Sequence, residues 1–83
     1  MEEKMTRQDI LVKSLDGREQ EVMHYQINID NYTLALAEIE SMSPDDRAEL
    51  SAFADQLRNL LASEKLEQKK AKVMLAVIKK QME

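Results

Sequence analysis

Ser43-Pro44-Asp45-Asp46 is a helix start signal, and no glycine or proline follows it as far as Met82. Ser43 suits the N-cap, and Pro44 suits the first helical position, where its missing N–H costs nothing. Asp45 and Asp46 then fall in the first turn and Lys79 and Lys80 in the last, each favoured by the helix dipole. At ~1.5 Å per residue a helix over 44–82 runs to nearly 60 Å. That is far longer than a chain of 83 residues needs for one compact core, so everything upstream has to be read against it.

On a helical wheel Leu50, Phe53, Ala54, Leu57, Leu60 and Leu61 share one face, and Ala71, Met74, Leu75, Ile78 and Met82 return to roughly that face. Glu64 and Gln68 interrupt it for about two turns. Leu66, Val73 and Val77 form a smaller stripe on nearly the opposite side. The stretch Ala71 to Ile78 is therefore apolar almost all round, which is the pattern of a buried helix. The interruption at Glu64 argues against a regular parallel coiled coil.

The upstream half reads as a β-hairpin over 10–29 and a short helix over 31–42, behind a flexible polar tail at 1–8. Two apolar runs flank Asp16-Gly17, a hairpin signal. A two-residue loop pairs Val12 with Glu21, a poor match. A four-residue loop, Asp16 to Glu19, builds one apolar face from Ile10, Val12, Met23, Tyr25, Ile27 and Ile29. Asp30 or Asn31 can cap the next segment, where Tyr32, Ala35, Leu36 and Ile39 recur at the spacing of an amphipathic helix. Pro44 ends it near Met42. The expected fold is thus α+β and helix-dominated: a β-hairpin, a short helix and one long C-terminal helix (ββαα), in a single domain over 1–83.

Those upstream elements, each ~20 Å or less, cover only the first half of the long helix. Two solutions follow. The helix stays straight and buries Leu66, Val73, Met74, Val77, Ile78 and Met82 against a second copy, most simply in a two-fold antiparallel pairing. Alternatively it breaks near Ala62-Ser63-Glu64-Lys65 and folds back. No Gly or Pro marks such a break, so the homodimer is the stronger expectation.

Composition narrows the chemistry. The chain has no Cys, which removes disulfides and thiolate zinc sites. It shows no signal peptide and no apolar run near a membrane span, so a cytoplasmic, soluble protein with no membrane partner is expected. The net charge of −4 is uneven: residues 1–42 carry four Lys/Arg against nine Asp/Glu, whereas Lys65 to Lys80 holds six Lys against Glu67 alone. Lys65, Lys69, Lys72, Lys79 and Lys80 fall on one side of the helix, a stripe able to follow a phosphate backbone or an acidic partner. It contains no Arg for bidentate readout and no interleaved aromatics for stacking, and a solvated helix face is its plainer reading.

No catalytic, cofactor-binding or metal-ligating set assembles from the residues, and no small-molecule substrate is evident. His24 is the single histidine and lacks ligand partners at a recurring spacing, so it reads as a solvent-facing strand residue. Asp16-Gly17 is weak as a phosphate turn, and Asp45-Asp46 reads as an acidic first turn before a metal pair. Met23, Met42, Met74 and Met82 read as flexible core filler, a residue type also common at adaptable binding surfaces.

The hairpin Ile10-Leu11-Val12-Lys13-Ser14-Leu15-Asp16-Gly17 and the join Ala37-Glu38-Ile39-Glu40-Ser41-Met42-Ser43-Pro44 resemble the build of small phage and prophage accessory proteins. The resemblance carries no catalytic or ligand residue. Together these features lead us to expect a non-enzymatic protein that acts as a homodimer and binds and modulates another protein. A small nucleic-acid-associated protein using the lysine stripe is the alternative.

Overall fold

The computed structural model describes residues 4–83, all of whose regular structure is helical. Helix α1 spans Arg7–Glu40, α2 spans Pro44–Glu49 and α3 spans Ser51–Met82. The two long helices lie antiparallel, with α2 in the turn between them, in a rod of 68 × 25 × 16 Å. The Cα radius of gyration is 19.2 Å, against about 12 Å for a compact domain of this length.

The expected β-hairpin over 10–29 and the separate helix over 31–42 are replaced by one helix of 34 residues. The tail expected at 1–8 ends earlier, since Arg7 and Gln8 are already helical, and its first three residues lie outside the described ones. Alternation at Ile10, Val12, Met23, Tyr25, Ile27 and Ile29 supports the β register. A second period runs through the same residues. Leu11, Leu15, Arg18, Val22, Tyr25, Ile29, Tyr32, Leu36 and Ile39 recur four and three residues apart, and all are half-buried or buried. The deciding term is what α3 needs. Its 32 residues are about 48 Å long, and only a helix of similar length covers them all. A hairpin of about 20 Å leaves half of that seam in water.

Gly17 accordingly lies within the α1 helix, with no positive φ. The residues Ile10 to Gly17 that carried half of the phage-protein resemblance are one stretch of the same helix. Thr6 starts the helix through a reciprocal capping box: the Asp9 N–H donates to Thr6 Oγ1 (3.2 Å), and the Thr6 N–H donates to Asp9 Oδ2 (3.0 Å). Hydrogen bonds to the ionised carboxylate from the Thr6 backbone N–H, the larger effect, and from the Thr6 side chain hold Asp9 below the usual carboxylate range.

The long C-terminal helix is present, with one correction. Ser43 caps α2 as expected, its hydroxyl accepting from the Asp46 N–H (3.3 Å), and Pro44 opens the helix. Leu50 then relaxes to φ −98°, ψ 8° and separates α2 from α3. Beyond it α3 runs unbroken through Ala62 to Lys65. Its inward residues are Ala54, Leu57, Leu61, Glu64, Gln68, Ala71, Leu75, Ile78 and Met82, again three and four apart. Two such series facing each other make an intramolecular antiparallel coiled coil.

At the loop end Ile39, Ala54 and Leu57 form the core, with Tyr32, Ala35, Leu36 and Leu50 packed against it. Ala71 (2% exposed) and Ile78 continue the buried line towards the free ends. Polar side chains bridge the middle. Gln68 Nε2 donates to the Val22 carbonyl (3.2 Å) and to Gln26 Oε1 (2.9 Å), and Asn28 Nδ2 donates to Glu64 Oε2 (3.4 Å). Near the free ends Arg7 donates to the Gln81 side-chain oxygen (2.8 Å). The two residues read from sequence as an interruption are therefore where the helices are joined by hydrogen bonds.

Candidate interaction surface

An antiparallel pair closes its inward seam and leaves four surfaces: two flanks beside the seam, shared by both helices, and the outward back of each helix. The six residues expected to meet a second copy divide among these. Ile78 is buried in the seam by α1, and Met82 is half-buried there. Leu66 and Val73 (62% exposed) lie on the back of α3, while Met74 and Val77 are exposed towards one flank. No single face gathers all six.

The flanks of α3 differ in kind. Along one, every seventh residue is Phe53, Leu60, Glu67 and Met74. Along the other the same spacing gives Arg58, Lys65, Lys72 and Lys79. Phe53, Leu60 and Met74 are all substantially exposed. Met74, Ile78 and Gln81 meet Leu11, Ser14, Gly17 and the Arg18–Glu21 ion pair of α1 in an open cleft on the Phe53–Leu60–Met74 flank. At the opposite end of that flank Ala35 packs on the Ile39–Ala54–Leu57 core, so the exposed apolar row continues the buried one.

On the basic flank Lys72 and Lys79 line a second cleft with Glu19, Met23, Gln26 and Leu75. Of the expected lysine stripe, Lys65, Lys72 and Lys79 follow this flank, while Lys69 and Lys80 sit further round on the back of α3. All five are exposed. Glu19 is the acidic residue of α1 that lies beside these lysines. The ion pairs among the described residues, Arg18–Glu21 (3.0 Å), Arg58–Asp55 (2.8 Å) and Lys70–Glu67 (3.0 Å), are exposed or half-exposed and lie within single helices. Pairs of that kind add little to stability.

The β register turns Met23 and Ile27 inward, and Leu34 lies off the apolar stripe of the expected short helix, yet all three are exposed. Met23 (65% exposed), Ile27 and Leu34 (67%) form a stripe along the back of α1. Spacing of seven between Ile27 and Leu34, and of four between Met23 and Ile27, is the signal that marks them. Arg18, which the hairpin places in its turn, is a long charged side chain half-buried at an inward position of α1. His24 faces solvent from a helix instead of a strand, its ring edge-on to Tyr25 at 6.4 Å.

Charge is also divided along the rod. The loop end, residues 30–61, carries seven acidic against two basic side chains, a net of −5. The free end, residues 4–17 with 72–83, carries six basic against three acidic, a net of +3. Among the described residues no helix is long and apolar enough to cross a membrane. Comparison with protein-family models, with curated proteins and with solved structures returns no match.

Proposed function

We propose that this chain is a non-enzymatic interaction protein that pairs with itself and, as a homodimer, binds and modulates another protein. The observation that carries this reading is surplus surface. The rod exposes 6545 Å², whereas a monomeric protein of 9.6 kDa exposes about 5,100 Å². The excess, on the order of 1,400 Å², exceeds the ~800 Å² that each partner contributes to a standard interface. Much of it is apolar: Phe53, Leu60, Leu66, Val73 and Met74 all stand out from helices whose seam is already closed. One layer of packed side chains, in which Leu57 at 4% exposure is among the most deeply buried, leaves room for a second layer.

Sedimentation equilibrium across a concentration series tests the proposal. A reversible monomer–dimer equilibrium is expected, and a single species of 9.6 kDa at every concentration would overturn it. The nucleic-acid alternative ranks lower because Lys72 and Lys79 share their cleft with Glu19, which reduces the positive potential offered to a phosphate backbone.

A further inference from the structure

Resting on the homodimer reading, we infer that the second copy docks on the flank bearing Phe53, Leu60 and Met74, running antiparallel, so that two hairpins close into a four-helix bundle. A helix inside a bundle needs a third apolar position per heptad beside its two seam positions. Helix α3 has that third position on one flank only, since the other is Arg58, Lys65, Lys72 and Lys79. Burying four cations at the equivalent place would cost far more than it returns. The backs of the helices are the other apolar surfaces, yet Leu66 and Val73 on α3 point away from Met23, Ile27 and Leu34 on α1. A single two-fold-related copy cannot cover both. On this flank α3 supplies the apolar residues while α1 supplies Ser14, Glu21 (paired with Arg18), Asn28 and Ala35. The flank continues the Ile39–Ala54–Leu57 core at its Ala35 end and is long enough for an isologous contact.

Charge sets the direction. Copies aligned head to head would stack a −5 loop end on a −5 loop end. Copies aligned head to tail place each −5 loop end over a +3 free end, and complementary potential fixes register in this way. Glu67, midway along the flank, then falls near the two-fold axis, and Lys70 at 3.0 Å supplies its counter-charge.

Two measurements on the full chain test this. In sedimentation equilibrium, Phe53→Glu with Leu60→Glu raises the dimer dissociation constant by about a hundredfold or more, with helicity by circular dichroism kept at the wild-type value. Leu66→Glu with Val73→Glu, on the back of α3, leaves the constant within about threefold, and raised salt weakens the wild-type dimer. A dimer indifferent to the flank pair overturns the assigned flank while leaving self-pairing intact. A wild-type monomer overturns both. A spin label on Ala48→Cys then reads the direction: antiparallel copies separate the labels by most of the 68 Å rod. Labels within about 25 Å would mean parallel copies, since packed helices lie ~10 Å apart, and would overturn the orientation.

Discussion

Gly17 is the residue at which the two readings of the N-terminal half part company. A glycine beside aspartate between apolar runs is ordinarily a turn, and a turn of that kind needs φ above zero. In the α1 helix Gly17 has no such φ, and a Cβ built on it meets nothing within 4 Å. Gly17→Ala is therefore expected to stabilise the protein by roughly 0.5–1 kcal/mol in chemical denaturation, through lower unfolded-state entropy. A loss of stability would return the segment to a turn. Gln68 makes a different contribution. It is buried with its amide bonded to Val22 and Gln26, and a polar group at a seam position fixes register at some cost in stability. Gln68→Leu should hold or raise the melting temperature while admitting additional oligomers, seen as broadened sedimentation profiles. A sharp single species with a lower melting temperature would refute that role. At Thr6 and Asp9 the cap depends on an ionised carboxylate. The folded pKa of Asp9 lies below its ordinary value of 3.8, so the cap's contribution is complete above that value and is lost as pH falls through the lowered one. Amide exchange in residues 7–10 should accelerate over that window in the wild type but show no such step in Asp9→Asn.

Among the elements, α3 and the start of α2 were legible because their signals are local. Ser43, Pro44 and the paired aspartates act within one turn, and thirty-odd residues without a breaker allow little besides helix. Helix α1 was not legible for an equally physical reason. Its apolar residues satisfy a period of two through Ile10, Val12, Met23, Tyr25, Ile27 and Ile29, and a period of 3.5 through Leu11, Leu15, Val22, Tyr25, Ile29 and Leu36. Nothing within the segment chooses between them. The choice is made by α3, which meets the middle of α1 at sequence separations of 36 to 46, and the unused set is left facing water. The same logic explains why the distal apolar residues were only half understood: Ile78 needed a cover, and the cover was α1. Leu57→Ala should accordingly cost about 2–4 kcal/mol in urea unfolding, since Leu57 is 4% exposed at the centre of the loop-end core. Val73→Ala, on the exposed back of α3, should change stability by less than about 0.5 kcal/mol. Equal effects at the two positions would mean that the seam has been assigned to the wrong face.

For the whole molecule the governing quantity is the ratio of surface to core. Two helices bury one stripe each, and a rod of 68 × 25 × 16 Å keeps more of its surface wet than a globule of the same mass. Both the proposed self-pairing and the assigned flank follow from that geometry together with the opposite charges of the two ends. All of it rests on α1 being one helix laid antiparallel along the full length of α3. The most direct test is an intrachain distance between spin labels on Lys13→Cys and Lys80→Cys, with labelled protein diluted into unlabelled so that only distances within one chain are read. The α1–α3 hairpin brings both labels to its free end, within about 25 Å of each other, because packed helices lie ~10 Å apart. A separation beyond about 35 Å, as when residues 10–29 form a β-hairpin on the proximal half of α3 about 30 Å from Lys80, would contradict it.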